Sequence, residues 1–291
     1  MSKFRDSLSA NKFTVTAEIG PPKGTDIKEM LEKFEIIKNK VAALNVTDNQ
    51  SSVMRLSSLG TCIIIRQHGG ETIFQMTCRD RNRIALQADL LAAHCLGIRD
   101  VLILTGDHVA LGDHPDAKPV FDLDSVQLLQ TVASLNAGKD LAGNTLNAPT
   151  DIFPGAAVTP EADPIEPQMI KFEKKVEAGA KFFQTQAIYD IGKFEAFYKR
   201  ASSFNVPILA GIVLLKSPSM AAHLNKNVPG ISVPDEIIHE MDSVEKQDRP
   251  QKSIEIAARI IHQCKNVSEG VHIMALGWEK YIPAILDQAE L

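Results

Sequence analysis

Short apolar runs alternate with helix-like segments eight times along the chain, and this alternation is the feature that most constrains the fold. Because no apolar run follows another at hairpin distance, the strands must be joined by crossovers and lie parallel. Eight such units at this chain length close naturally into a barrel. We therefore expect an α/β fold, a (β/α)8 TIM barrel, with residues 1–291 as one domain. The alternative is an open doubly wound sheet, but no G-x-G-x-x-G motif follows the first strand.

The alternation also gives the positions of the elements. We expect strands at 13–19, 42–47, 71–77, within 101–108, and at 155–159, 181–187, 206–213 and 271–276. We expect helices at 26–40, 53–67, 80–96, near 122–137, at 165–179 and 190–203, from 217 to about 264 with breaks at prolines, and from about 279. A long irregular loop, 107–121, follows the fourth strand, and loops of that length inside compact domains are often functional.

Composition favours a small-molecule ligand. The chain has 31 basic and 36 acidic residues, a net charge of −5, which gives no global field for nucleic acid or an anionic membrane. Cys62, Cys78, Cys95 and Cys264 lie far apart, so we expect free core thiols rather than disulfides or a zinc site. The first residues show no apolar signal segment, and no apolar run approaches the ~20 residues of a membrane span. These features indicate a soluble, cytoplasmic protein.

Two carboxylates are expected to meet at the active-site end of the barrel. In such barrels the active site forms at the carboxyl ends of the strands. The stretch 101–108 (VLILTGDH) ends there in Gly106, Asp107 and His108, although these residues also suit an ordinary strand-to-turn junction. Glu18 ends the first strand before a proline pair. Further polar residues expected at strand ends are Thr47, Asp48, Gln75, Thr77, Thr105, Thr159 and Gln186.

The histidines give no metal or triad pattern. The sequence contains no H-x-H or H-E-x-x-H pair, no Walker loop and no Ser-His-Asp order, so we expect no metal centre. His108 and His114 lie in the long loop and are candidates for ligand contact. Four other histidines fall on predicted helices or their ends, where surface positions are expected: His68, His94, His239 and His262.

Several motifs together resemble one family. They are AEIGPP at 17–22, MTCRD at 76–80, LTGDH at 104–108, AAVTPEADP at 156–164 and KKVEAGAKFFQTQ at 174–186. In order and spacing, and over essentially the whole chain, this set is similar to the methylenetetrahydrofolate reductase family. The resemblance implies a barrel that holds FAD non-covalently and reduces 5,10-methylenetetrahydrofolate to 5-methyltetrahydrofolate, a step of one-carbon metabolism and methionine biosynthesis. NADH or NADPH would be the reductant, and we expect a homo-oligomer.

The resemblance implies roles for three catalytic residues. Glu18 would assist protonation at folate N10 as the imidazolidine ring opens, and apolar neighbours would raise its pKa for that task. Asp107 would stabilise the 5-iminium cation by its fixed charge and make the flavin harder to reduce. Gln186 would hydrogen-bond the pterin ring and contact the nicotinamide. Structural alternatives are a salt bridge for Glu18 and a polar residue of the barrel interior for Gln186.

The resemblance also implies a set of FAD-binding positions. Lysines at helical spacing before Gly179 would meet the pyrophosphate, although a lysine run is often only a solvated helix face. The positions that match the family pattern are Thr47, Gln75, Thr105, Gly106, Asp107, Asp122, Thr159, Asp163, Gln168, Lys171, Lys174 and Lys175.

The chain also departs from the family pattern. Thr105 stands where many members have an arginine, which removes a cation beside the flavin. Gln75 and Asp163 replace histidines, and an aromatic residue is missing near Val158. Such sequences resemble a form found in anaerobes, where a partner subunit carrying metal centres can supply electrons. Two alternatives therefore stay open: a folate- and flavin-binding subunit that is inactive alone, and a folate-dependent methyltransferase on a pterin-binding barrel.

Overall fold

The computed structural model describes residues 2–291 and contains a closed barrel of eight parallel strands in the order of the sequence. The strands are β1 Thr14–Ile19, β2 Ala43–Val46, β3 Thr72–Thr77, β4 Asp100–Leu104, β5 Phe153–Val158, β6 Phe182–Ala187, β7 Ile208–Val213 and β8 Gly270–Met274. Pairing of β1 with β8, with Thr14 opposite Gly270, closes the barrel. The predicted (β/α)8 TIM barrel is confirmed.

Helices cover the outside of the barrel, and most begin later than the sequence pattern predicts. They are α1 Lys3–Ser9, α2 Lys28–Ile37, α3 Ser58–Gln67, α4 Arg83–Cys95, α5 Ser125–Asn136, α6 Glu166–Glu177, α7 Ile191–Ala201, α8 Pro218–Asn227, α9 Asp235–Asp242, α10 Arg249–Cys264 and α11 Ile282–Gln288. Caps explain the later starts: Ser57 caps α3, and Asp124 forms a capping box with Gln127 on α5. Within residues 2–291, no helix combines the length and apolar character needed to span a membrane.

Helix α1 closes the amino-terminal end of the barrel, and the sequence pattern did not predict it. Phe4 is fully buried and packs edge-on against Phe182, with ring centroids 4.9 Å apart. Arg5 reaches the first residue of β4 and donates from Nε to the Asp100 carboxylate at 2.6 Å. The apolar cluster at this end consists of Phe4, Leu8, Ala43, Ile73, Leu102, Phe182 and Leu209.

The barrel interior changes from apolar to polar along the strands. Because side chains alternate between the two faces of a strand, the residue two positions beyond each apolar one also points inward. Beyond Ala43 this residue is Asn45, and beyond Phe182 it is Gln184, and both are buried. The main hydrophobic core lies instead between the outer face of the strands and the helices. The carboxyl-terminal half of the barrel is therefore lined with polar groups.

Three of the four cysteines are core thiols. Cys62, Cys78 and Cys264 are buried, and burial raises the pKa of each thiol to about 12. The expectation was wrong for Cys95, which is exposed because it lies on the last turn of α4, facing away from the barrel core. The three buried thiols stay protonated at neutral pH and are not nucleophiles.

Replacement of Phe4 tests the role of α1. Phe4→Ala removes a fully buried ring that closes the barrel, so we expect a loss of about 3–5 kcal/mol in the free energy of unfolding. Urea denaturation followed by circular dichroism measures it, and Lys3→Ala, an exposed change on the same helix, is the control. A Phe4→Ala protein as stable as the Lys3→Ala protein would show that α1 is dispensable.

Candidate functional site

One cavity lies at the carboxyl-terminal end of the barrel and brings together residues from most of the strands. Its volume is about 400 Å³, within the usual range for small-molecule sites. The predicted site residues that line it are Glu18, Gln75, Thr105, Gly106, Asp107, Thr159, Gln168, Lys171, Lys175 and Gln186. The three predicted catalytic residues are therefore grouped around one space.

Four predicted cofactor positions do not line this cavity. Thr47 is buried behind the ends of the strands. Asp122 pairs with Arg83, whose Nη2 lies 2.8 Å from its carboxylate. Asp163 and Lys174 are exposed. Asp122, Asp163 and Lys174 could reach only the outer part of an extended ligand, and Thr47, which is 1% exposed, is closed off from it.

Glu18 lies among polar groups, and the expected apolar surroundings were wrong. Gln75 Nε2 donates to Oε1 of Glu18 at 3.4 Å, and Gln50 Nε2 donates to Oε2 at 3.4 Å. The imidazole Nε2 of His272 lies 3.7 Å from Oε1. The side chain of Glu18 is only 12% exposed. The barrel thus holds a carboxyl group at the cavity wall with amides on two sides and an imidazole on a third.

His272 is a site residue that sequence reasoning missed. It lies in β8, is 3% exposed and lines the cavity. Its Nδ1 is 3.0 Å from the hydroxyl of Thr16, so the ring is held from behind while Nε2 faces Glu18. The alternation in 271–276 carried a usable signal, because a histidine between apolar outward residues must point into the barrel.

A hydrogen-bonded set of side chains crosses the barrel beneath the cavity. Asn45 Nδ2 donates to Gln184 Oε1 at 2.7 Å, and Gln184 Nε2 donates back to Asn45 Oδ1 at 3.1 Å. Gln184 Nε2 also donates to the Thr16 hydroxyl at 3.2 Å. Buried polar groups must be paired, so these contacts fix Thr16 and, through it, the ring of His272.

Asp107 is held by its main chain. Ser52 Oγ donates to the carbonyl oxygen of Asp107 at 3.0 Å, and Arg79 Nη1 donates to the same oxygen at 3.3 Å. Gly106 precedes it with φ +90, a conformation that favours glycine. Both contacts go to the main-chain oxygen rather than to the carboxylate, and the residue lines the cavity.

The long loop folds back over the neighbouring strand end. Asp113 accepts the main-chain N–H of Met54 at 3.1 Å and also binds Lys23. His108 caps the short turn that follows it by accepting the N–H of Ala110 at 3.2 Å. His114 binds Asp113 at 2.7 Å. These contacts occupy both loop histidines, and neither lines the cavity.

Gln186 lies at an irregularity between β6 and β7. The strand register shifts between Gln184 and Ala187, and Gly211 N donates to the Thr185 hydroxyl at 2.8 Å instead of following the regular ladder. A Cβ on Gly211 would lie 2.3 Å from the Thr185 carbonyl oxygen, so only glycine fits. Such bulges redirect side chains near active sites, and here the bulge accompanies the approach of Gln186 to the cavity.

Two lysines of α6 form a cationic wall. Lys171 and Lys175 line the cavity together with Gln168, one helical turn apart. Lys175 Nζ donates to the Ala157 carbonyl at 2.6 Å. Burial, with the charge of Lys171 adding to it, lowers the pKa of Lys175 to about 8. This ammonium can bind an anion at neutral pH and loses its charge in mild alkali.

A second cavity, about 390 Å³, lies at the opposite end of the barrel. Its charged groups are already paired: Arg5 with Asp100, Arg66 with Glu71, and Arg99 with Asp151. Pairs of this kind stabilise structure, and barrel enzymes place their chemistry at the other end. The carboxyl-terminal cavity is therefore the candidate active site.

Comparisons with known proteins show the family. A sequence model described as methylenetetrahydrofolate reductase matches residues 3–290. Methylenetetrahydrofolate reductase 1 of Schizosaccharomyces pombe is 24% identical over 294 residues, covering 96% of this chain and 46% of that protein. The 5,10-methylenetetrahydrofolate reductase of Pectobacterium carotovorum is 26% identical over 208 residues, covering 69% of this chain and 64% of that protein. The chain thus covers less than two thirds of the length of these relatives.

Solved structures support the fold. A protein from Clostridium thermocellum that binds two copies of 5-methyl-5,6,7,8-tetrahydrofolic acid superposes with a TM-score of 0.66 at 15% identity, covering 99% of this chain and 98% of that one. EDTA monooxygenase from Chelativorans sp. BNC1 gives a TM-score of 0.58 at 10% identity, covering 96% and 93% of the two chains. At these identities the likeness extends to the barrel alone.

The low pKa of Lys175 predicts pH-dependent binding of an anionic ligand such as FAD. The ammonium is charged below about pH 8 and neutral above it, so affinity should fall as pH rises through this value. One charge-assisted contact corresponds to about tenfold in the dissociation constant between about pH 7 and about pH 9.5. Lys175→Met should bind weakly at both pH values, and Lys181→Met, an exposed lysine just before β6 that does not line the cavity, should behave as wild type. Fluorescence quenching of FAD measures the dissociation constant at each pH. If Lys175→Met kept the pH dependence of the wild type, the assignment would be contradicted.

Proposed function

Because this chain belongs to the methylenetetrahydrofolate reductase family, we propose that it reduces 5,10-methylenetetrahydrofolate to 5-methyltetrahydrofolate. The observation that carries this proposal is the convergence of Glu18, Asp107 and Gln186 on one cavity from β1, the loop after β4, and β6. A proton donor, a fixed negative charge and a carboxamide are the groups that ring opening and recognition of a reduced pterin require.

Glu18 holds the proton for folate N10. In this role the carboxyl group donates as the C–N10 bond of the imidazolidine ring breaks, and it must recover a proton afterwards. Its contacts hold the carboxylate, because Gln75 donates to one oxygen and Gln50 to the other, and His272 lies 3.7 Å from Oε1.

Asp107 supplies negative charge beside the reacting carbon. Ring opening leaves a 5-iminium cation on the substrate, and a preorganised carboxylate stabilises it without any proton transfer. Preorganisation is visible in the backbone, because two hydrogen bonds fix the Asp107 carbonyl oxygen and Gly106 fixes the turn. The main chain that carries the carboxylate is therefore already in place when positive charge develops.

Gln186 recognises the pterin. Its carboxamide offers two donors and an acceptor, which match the edge of a heterocycle that has both kinds of group. The bulge formed by Thr185 and Gly211 determines where this side chain points. We propose that Gln186 orients the substrate and also contacts the nicotinamide when NADH or NADPH binds.

We propose that residues lining the cavity hold part of FAD. Lys171 and Lys175 suit a pyrophosphate, and Thr105, Thr159 and Gln168 offer hydrogen bonds to the rest of the cofactor. Bound there and reduced by an electron donor, the flavin would supply the hydride that converts the substrate methylene to a methyl group. Gln75, Gly106 and Asp107 complete the proposed binding set inside the cavity, and Asp122, Asp163 and Lys174 are proposed for its outer part. Thr47, which is 1% exposed, could support the cavity wall only from behind.

The electron source is NADH or NADPH, or a partner subunit that carries metal centres. An anaerobic titration of the FAD-loaded protein with NADH and then NADPH distinguishes them by the bleaching of flavin absorbance. Bleaching in either titration selects the nucleotide, and a flavin that only dithionite reduces selects a partner.

Glu18→Gln tests the proposed reaction. Dithionite-reduced, FAD-loaded wild type should be reoxidised by methylenetetrahydrofolate without oxygen. Glu18→Gln keeps the shape but removes the acid, so reoxidation should slow by about 10²–10⁴-fold while flavin binding and reduction stay intact. Stopped-flow absorbance measures this, with the exposed Glu32→Gln as control. No reoxidation in wild type would refute the proposed function, and equal loss of flavin reduction and reoxidation would make Glu18 structural.

Asp107→Asn tests the electrostatic role. Loss of the charge should slow substrate reduction by about 10²-fold and should raise the flavin midpoint potential, because a nearby anion disfavours the added electrons. Equilibration with reference dyes measures the potential, and Asp116→Asn, an exposed change in the same loop, is the control. A lowered potential in Asp107→Asn would contradict the assignment.

A further inference from the structure

Arg79 is a buried arginine in the wall of the candidate active site. It follows β3 by two residues, is only 2% exposed and lines the same cavity as Thr105, Gly106 and Asp107. We propose that Arg79 is the positioning residue that holds Asp107 in place and offers one guanidinium N–H to a ligand on this side of the cavity. The catalytic part of this inference rests on the proposed function, whereas the positioning of the loop does not.

The guanidinium of Arg79 joins three segments. Its Nε and Nη2 donate to the two carboxylate oxygens of Asp80, each at 2.7 Å. Nη2 also donates to the main-chain oxygen of Asn49 at 3.1 Å, and Nη1 donates to the main-chain oxygen of Asp107 at 3.3 Å. Asn49 follows β2 and Asp107 follows β4, so Arg79 connects the two loops that flank its own.

The main chain of Arg79 holds the other end of the long loop. The N–H of Val120 donates to the Arg79 carbonyl at 2.8 Å. Residues 107–120 therefore begin at a hydrogen bond to the Arg79 side chain and end at a hydrogen bond to its backbone. Gly106 packs directly on this residue, since a Cβ there would lie 3.2 Å from the Arg79 Cβ. One residue thus determines where the loop leaves and rejoins the barrel.

The four hydrogen bonds of the Arg79 guanidinium leave one of its N–H donors unused. A guanidinium has five N–H groups, and the four contacts above use one on Nε, two on Nη2 and one on Nη1. The remaining N–H is on Nη1, the atom that also binds Asp107. Because Arg79 lines the cavity, this N–H can donate to an acceptor on a bound ligand beside Asp107.

Arg79 stays charged in this position. Burial pushes the pKa of the guanidinium down, but the hydrogen bonds and charge of Asp80 push it up by more, with smaller contributions from Asp48 and Asp107. Asp80 is therefore a counter-ion that allows a full positive charge at a buried site. Lysine would keep the charge but lose the planar fork that reaches three partners at once.

Hydrogen exchange of residues 105–121 tests the positioning directly. Mass spectrometry of the purified chain would compare wild type, Arg79→Lys, Arg79→Ala and the control Arg81→Lys, whose arginine binds Asp48 and Asp89 but not the loop. We expect exchange in 105–121 to rise about tenfold in Arg79→Ala and less in Arg79→Lys, with no change in Arg81→Lys.

Chemical rescue separates a specific contact from a general loss of stability. Guanidinium chloride at a non-denaturing concentration should fill the space left in Arg79→Ala and slow exchange again, whereas the same concentration of methylammonium chloride should not. In the FAD-loaded protein, reoxidation by methylenetetrahydrofolate should be about 10²-fold slower in Arg79→Ala, with guanidinium restoring the rate. Dithionite reduction of the flavin should be unaffected.

Three results would overturn the proposal: loop exchange in Arg79→Ala equal to that of Arg81→Lys, acceleration spread evenly over the barrel, or equal rescue by both cations. If Arg79→Ala does not fold, Arg79→Lys alone decides, because faster exchange confined to 105–121 supports the proposal and unchanged exchange refutes it. A wild-type protein without folate activity would refute the proposed reaction but leave the exchange experiment valid.

Discussion

Beneath the cavity the barrel interior is buried but polar, and the polar groups there must find their partners inside the barrel. The hydroxyl of Thr16 is the group on which this pairing depends. It contacts Gln184 at 3.2 Å, His272 at 3.0 Å and the Val271 carbonyl at 3.4 Å. Below it, the phenylalanine-rich end under α1 seals the barrel. The cavity therefore opens in one direction only, towards the ends of the strands that present Glu18 and Asp107.

The sequence predicts the elements well because their signals are local. Buried parallel strands read as short apolar runs, and prolines and glycines mark where they stop, so β1 and β4 could be located together with Glu18 and Asp107. Helix α1 was not predicted, since its apolar residues Phe4 and Leu8 give too short a periodic pattern. Its stability comes from contacts with strands far along the chain, such as that of Phe4 with Phe182.

The missing parts of the site depend on contacts between distant residues. His272 and Thr16 are 256 positions apart, and only the pairing of β8 with β1 makes them neighbours. The sequence predicted the loss of a cation at Thr105, which follows β4. Arg79, which follows the neighbouring strand β3, places a guanidinium in the same cavity wall. The lysines of α6, on the helix that follows β5, add further positive charge to the same cavity. Charge in such a site belongs to the assembled wall, which local sequence patterns do not reveal.

The single proton of Thr16 links the back of the site to Glu18. If Thr16 donates to His272 Nδ1, the neutral ring carries its proton on Nε2 and can face a Glu18 carboxylate. If Thr16 donates instead to the Val271 carbonyl, His272 Nδ1 donates to Thr16, and Nε2 is then the unprotonated ring nitrogen, 3.7 Å from Glu18. Gln184 donates to Thr16 in both cases. The two arrangements differ in the rotation of the Thr16 hydroxyl and in which ring nitrogen of His272 carries the proton, so the same heavy-atom positions accommodate Glu18 before and after it gives up a proton, which is what an acid used in every turnover needs.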